Sequence, residues 1–125
     1  DVCSSDLQRK YGRILHLASI SGKEGNQFLV AYSATKAGLI AMVKAVGKEY
    51  AESGVTINAM APALIESPMS ASFSESQMTL LKSKIPMGRL GTQEEVANLA
   101  SWIVSPECSF TTGFTFDLSG GRATY

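Results

Sequence analysis

Apolar positions along the chain fall into blocks of different period, and the periods predict the elements. Ile14, Leu15, Leu17 and Ala18 form a run interrupted only by His16, opened by Gly12 and closed by Ser19. Such a run predicts a strand over 13–19 that is buried on both faces, as in a parallel sheet. Gly22 and Gly25 mark a polar loop reaching to about Gln27. From 30 to 53 there is no proline, and Leu39, Val43, Val46 and Tyr50 recur at helical spacing, so one long helix is expected with Gly54 as its C-cap. Lys44, Lys48 and Glu52 line its polar face. Gly38 and Gly47 each cost that helix about 1 kcal/mol relative to alanine, which points to close approach of another backbone. A second buried strand is expected over 55–61, ended by Pro62.

Beyond that proline the pattern weakens and then returns. The stretch 69–86 is rich in Ser, Met and Gln, with an amphipathic patch at Met78, Leu81 and Ile85, and reads as a lid beside a binding site. Thr92-Gln93-Glu94-Glu95 is a capping box opening a helix whose buried stripe is Val96, Leu99, Ala100 and Ile103 and which Pro106 stops. A short strand over 114–118 and a turn at Gly120-Gly121 close the chain. Strand, helix, strand, helix, strand predicts an α/β fold, the C-terminal half of a doubly wound parallel sheet of Rossmann type.

Composition narrows the chemistry by exclusion. Eleven basic and eleven acidic side chains cancel over 125 residues, so nothing calls for nucleic acid or an anionic membrane surface. No apolar run approaches the roughly 18 residues that span a bilayer. Cys3 and Cys108 have neither metal-ligand spacing nor the density of a secreted disulfide scaffold, so free thiols, a soluble cytoplasmic protein and no metal site are expected. The single histidine, His16, sits inside the first strand, where alternation points it away from Ser19, and it reads as a packed residue.

The candidate chemistry lies between the first strand and the long helix. Tyr32 and Lys36 are spaced i, i+4, which puts phenol and ammonium on one helix face about 6 Å apart at Cβ. A free tyrosine titrates near ~10, and a fixed positive charge close by favours the phenolate, so the pair suits proton exchange. Ser19 adds a hydroxyl at a strand's C-terminal edge, where open α/β sheets hold ligands. Of the four tyrosines only Tyr32 has a lysine at +4. Glu66 lacks a carboxylate partner at a defined spacing and reads as a solvated loop residue.

These residues stand in longer motifs. G-R-I-L-H-L-A-S-I-S-G at 12–22, Y-S-A-T-K-A-G at 32–38, N-A-M-A-P-A-L-I-E-S-P-M at 58–69, P-M-G-R-L-G-T-Q-E-E-V-A at 86–97 and T-G-F-T-F-D-L-S-G-G at 112–121 resemble the short-chain dehydrogenase/reductase family. The 3-oxoacyl-(acyl-carrier-protein) reductase branch is the nearest in character. The resemblance implies hydride transfer between NAD or NADP and a small carbonyl or secondary alcohol. It casts Tyr32 as proton donor or acceptor, Lys36 as its electrostatic partner and ribose contact, and Ser19 as hydrogen-bond donor to the substrate oxygen. It also implies that the loop at Pro62, Ile65 and Ser67 meets the nicotinamide end of the cofactor. There the family's usual glycine after the proline is Ala63, which bears on the loop's backbone.

The resemblance further implies a homo-oligomer, dimer or tetramer, built across the long helix. No glycine-rich phosphate cradle occurs in the sequence, so the cofactor preference is not readable and the chain alone is expected to be inactive. Sugar, polyol and sugar-acid dehydrogenases share every motif quoted. From another class, a non-catalytic binding protein or an inert fragment is the rival, and the intact Ser19, Tyr32 and Lys36 argue against it. Residues 1–7, D-V-C-S-S-D-L, fall outside the resemblance. Back-translated, they resemble the tail of a sequencing-adapter oligonucleotide, so a non-native segment clear of the core is expected, Cys3 included, with the domain spanning 8–125.

Overall fold

Three parallel strands position everything else. In the computed structural model, which describes residues 4–123 and 125, the order is α1 (Ser4–Arg9), β1 (Gly12–Leu17), α2 (Ser21–Glu24), α3 (Val30–Glu49), β2 (Val55–Pro62), a 3-10 turn (Ser70–Ser72), α4 (Glu75–Ser83), α5 (Gln93–Ile103) and β3 (Thr115–Leu118). The sheet order is β1-β2-β3. Gly12 of β1 pairs with Val55 and Leu17 with Met60, and Ala59 of β2 pairs with Thr115 and Pro62 with Leu118, all in parallel. Parallel neighbours need crossover helices, which α3 and α5 supply. The result is part of a doubly wound Rossmann-type sheet, as the sequence predicts.

One face of β2 makes the core. Val55, Ile57 and Ala59 alternate toward α3, where Ile40 and Val43 meet them with Ala18, while Leu39 and Val46 pack at the margin. The buried line on α3 is Ile40, Val43 and Gly47, so the apolar stripe lies slightly to one side of the predicted one, and Tyr50 is half-buried beyond it. Gly47 is there for the reason expected: a Cβ would lie 2.5 Å from the Gly113 backbone. Gly38 differs, for nothing lies within 4 Å of where its Cβ would be.

Several boundaries move for local reasons. α3 ends at Glu49 with Tyr50 as its C-cap, so Gly54 is not the cap. The Ser53 hydroxyl donates to Tyr50 O at 2.7 Å and accepts Val55 N–H at 3.1 Å, which turns the chain before Gly54. Gly54 has φ of 81° and lies against the Lys10 carbonyl. The polar loop after Ser19 contains the single-turn helix α2. Residues 69–86 hold the 3-10 turn and α4; the latter opens on a Ser74/Gln77 capping box and buries no residue fully, while Ile85 beyond it is buried. The box at Thr92 and Glu95 forms as predicted.

The amino-terminal segment behaves differently from the expectation that it stays clear of the core. Ser4–Arg9 is helical, and Leu7 packs against the cluster under β1 and β2. Asp6 lies against Gly12, where a Cβ would come within 2.9 Å of it. The expectation for Cys3 falls outside the described residues.

Candidate active site

Gly22 brings the site's two halves together. A Cβ on it would lie 2.6 Å from the Lys36 carbonyl carbon and 2.8 Å from the Ala37 nitrogen, so only a hydrogen fits where the turn after Ser19 meets the second turn of α3. At that contact Lys36 Nζ donates to Leu17 O at 2.7 Å. The ammonium sits 5.7 Å from the Tyr32 ring centroid, in line with the i, i+4 spacing. Tyr32 is 45% exposed, whereas Ser19 is buried. Ser19 Oγ accepts the Ser21 N–H at 3.1 Å, and its own proton can be given to a second partner.

The predicted cofactor loop adjoins this group. Ile20 N–H donates to Pro62 O at 3.2 Å and Ala18 N–H to Met60 O at 2.8 Å, extending the β1 and β2 pairing to the Ser19 segment. Ala63 donates its N–H to Leu118 O at 2.9 Å. Among the described residues the non-glycines with positive φ are Lys10 and Phe28, so Ala63 sits in ordinary backbone and its methyl is accommodated. Ile65 bridges Gly91 in parallel: Gly91 N–H meets Leu64 O at 3.2 Å and Glu66 N–H meets Gly91 O at 2.8 Å. In such a bridge the flanking residues supply the bonds, which leaves the N–H and C=O of Ile65 facing the other way. Ser67 Oγ accepts Ser70 N–H at 3.2 Å, and Ser67 N–H donates to Ser70 Oγ at 2.8 Å. These groups fit the end of a nicotinamide: backbone at Ile65 for a carboxamide, and a hydroxyl proton at Ser67.

Glu66 is exposed and His16 half-buried. Arg89 clasps Glu95 through Nη1 at 2.9 Å and Nη2 at 2.6 Å. That clasp, with the Thr92 N–H behind it, holds the Glu95 carboxyl at about 2, below the ordinary 4.5. A cavity of about 380 Å³ lies at the carboxyl end of β3 between Ile85, Met87, Leu90 and Gly120, and none of the six candidate residues lines it. Among the described residues no group of three His, Cys, Asp or Glu side chains could hold a metal ion, and no helix is long and apolar enough to cross a membrane.

Sequence reasoning missed three residues, one that ties the sheet together and two that hold the loop between Ser19 and Tyr32. Asn58 is fully buried in β2, donating to Thr111 O at 2.9 Å and accepting Phe114 N–H at 3.1 Å, which ties the segment before β3 to the sheet. Its signal was present: a polar side chain in V-T-I-N-A-M-A must find partners. Asn26 and Arg122 meet across 96 residues, with no local signal to find them.

Residues 3–123 match the family model described as enoyl-(acyl carrier protein) reductase. A 2-dehydro-3-deoxy-L-rhamnonate dehydrogenase (NAD(+)) of Sphingomonas sp. strain SKA58 is 54% identical over 119 residues, 95% of this chain and 48% of that protein. The 3-oxoacyl-(acyl-carrier-protein) reductase FabG of Rickettsia felis is 42% identical over 115 residues, 92% and 48% of the two. A crystal structure of an actinorhodin polyketide ketoreductase variant with NADPH superposes with a TM-score of 0.89 at 31% identity, over 97% of this chain and 51% of that one. The chain spans about half the length of the curated relatives it matches.

Proposed function

Because this chain belongs to the short-chain dehydrogenase/reductase family, we propose that the complete protein interconverts a carbonyl and a secondary alcohol on a small molecule, using NAD or NADP. The observation that carries the reading is the contact of Lys36 Nζ with Leu17 O, which sets the tyrosine-lysine face of α3 against the end of the strand that leads into Ser19. In reduction, Tyr32 gives its phenolic proton to the substrate oxygen as that oxygen gains charge, and in oxidation it takes the proton back. Lys36, anchored on Leu17 O, keeps a positive charge beside the ring to stabilise the phenolate left behind, and has further N–H donors for the nicotinamide ribose. Ser19 donates its hydroxyl proton to the same substrate oxygen. The nicotinamide, when bound, supplies or accepts the hydride. Pro62, Ile65 and Ser67 would hold its carboxamide end.

Two substrate classes fit. A 3-oxoacyl thioester is supported by the FabG relatives, and a 2-dehydro-3-deoxy sugar acid by the Sphingomonas dehydrogenase, whose identity of 54% exceeds the 42% of the reductase from Rickettsia felis. A panel of ketoacyl thioesters, sugar acids and steroids separates them. Assembly into a dimer or tetramer along α3 belongs to the same proposal, and the buried free thiol of Cys108 is compatible with a cytoplasmic setting. The decisive experiment is Tyr32→Phe in the complete enzyme. Turnover should fall by roughly 10² or more with cofactor affinity retained; activity within a few-fold of the parent would refute the assignment.

A further inference from the structure

The loop between Ser19 and Tyr32 is clamped from the far end of the chain through one amide. Asn26 Nδ2 donates to Ser21 Oγ at 2.7 Å, and Asn26 N–H donates to Ser33 Oγ at 3.2 Å. Ser21 is the residue whose N–H sits on Ser19 Oγ, and Ser33 follows Tyr32, so a single side chain and its own peptide touch both reacting segments. The third contact comes from the turn after β3, where Arg122 Nη2 donates to Asn26 Oδ1 at 3.1 Å. Arg122 is itself fixed, with Nε and Nη2 on Glu24 Oε2 at 3.0 and 2.9 Å and a side chain only 13% exposed.

The chemistry of the two groups makes this contact directional. A guanidinium has donors and no acceptor, so it can be met only by the amide oxygen. With Oδ1 committed to Arg122, the NH₂ of Asn26 must face Ser21, whose oxygen accepts it. Were the amide turned over, its NH₂ would oppose the guanidinium and the Ser21 hydroxyl would have to donate instead.

We infer that Arg122 is a positioning residue that, through Asn26, aims the Ser19 and Tyr32 segments for reaction. The inference rests on the reading of Ser19 and Tyr32 as reacting groups. A second tether of the same loop is independent of it. Lys23 Nζ holds both carboxylate oxygens of Asp117 at 2.9 Å, with the lysine side chain 6% exposed. Loss of Arg122 therefore leaves the loop attached, and what changes is its aim.

The test uses the complete enzyme and reads kcat, cofactor Kd and the thermal midpoint together. Asn26→Asp keeps an acceptor for Arg122 but removes the donor to Ser21. It should lower kcat about 10-fold, since small misplacements of a reacting group are costly, with cofactor Kd within about two-fold of the parent on the same scale of effects. Arg122→Ala should lower kcat similarly, and added guanidinium ion at non-denaturing concentration should restore part of it. Guanidinium should not restore Asn26→Asp. Parental kcat in Asn26→Asp, or a folded Arg122→Ala that guanidinium does not help, overturns the inference; if Arg122→Ala does not fold, Asn26→Asp alone decides. Tyr32→Phe run beside these separates the two ideas. Retained turnover there refutes the proposed function, whereas an inactive Tyr32→Phe with parental Asn26→Asp refutes only the positioning role.

Discussion

Strands β1 and β2 are written alike and buried differently. I-L-H-L-A and V-T-I-N-A-M-A are both apolar runs of the kind that fills a parallel sheet. β2, with a hydrogen-bonded neighbour on each side, is buried almost throughout; β1, paired on one side only, is half-exposed along most of its length, and Leu17 at its end is 57% exposed. The difference is therefore one of neighbours and not of composition. An apolar run states what environment a strand is suited to, and the place in the sheet decides whether it gets it. The two strands also divide the labour, for Ser19 and the Lys36 anchor lie at the end of β1, while β2 carries the core beneath α3.

The largest effect that could erase this contrast would be self-sufficiency of the chain. The apolar side chains left half-covered on β1 favour association or collapse at about 25 cal/mol per Å² exposed, and a dinucleotide is held mainly by a glycine-rich turn and a helix N-terminus on its pyrophosphate. Titrated with NADH and NADPH, the chain alone should not saturate in the micromolar range, and its near-UV circular dichroism should lack a cooperative melt. Micromolar binding with a sharp unfolding transition would mean that β1 needs no further neighbour.

In the complete enzyme the contrast should shrink. Met60, fully buried on β2, should cost about 2–5 kcal/mol on Met60→Ala, the usual range for a buried large-to-small change. Leu17→Ala should there cost about 2 kcal/mol or more, as for a covered leucine. Urea denaturation gives both values. A cost within about 0.5 kcal/mol for Leu17→Ala, the range of surface substitutions, would show that β1 stays an edge.

A pair of glycines on one helix sharpens the same point. Gly47→Ala forces a methyl into the Gly113 backbone and should destabilise the complete enzyme by about 1–3 kcal/mol at any protein concentration. Gly38→Ala meets open space in the isolated chain. If a second copy covers that face, its effect should appear only as weaker assembly in light scattering across a dilution series. An effect of Gly38→Ala that does not depend on concentration would argue against an interface there.

What was legible in the sequence follows from the range of each signal. The body of the long helix, the Thr92 and Glu95 capping box of α5 and the spacing of Tyr32 and Lys36 depend on residues within a turn or two, and each appears where its pattern placed it. Leu7 was missed because a single apolar residue on one turn has no period to read, though one is enough to reach the core. The end of α3 was misplaced because a serine hydroxyl competing for Tyr50 O outweighs the pull of a nearby glycine. Arg122 on Asn26 was illegible in principle, since nothing in either neighbourhood encodes a partner so far along the chain.

The smallest predicted effect lies far from β1, at the clasp of Arg89 and Glu95. The Arg89 hydrogen bonds, then the Thr92 N–H, lower the Glu95 carboxyl from the ordinary 4.5 to about 2. A depressed carboxyl binds its proton more weakly in the folded state than in the unfolded one. Its contribution to stability is thus complete above about pH 5, shrinks below the unfolded value of 4.5 and is gone once the pH has fallen through about 2. Both side chains are exposed, so solvent and salt screen the pair and the gain is modest. Glu95→Gln is a suitable control because glutamine at this position can still accept the Thr92 N–H in a capping box, so the comparison isolates the charge on Glu95. Thermal midpoints of the complete enzyme and this variant should differ by a constant few degrees or less above pH 5 and converge as the pH approaches 2. A gap that widens on acidification would mean that Glu95 is stabilised in its protonated form, and that the clasp is a consequence of the turn before α5 and not one of its supports.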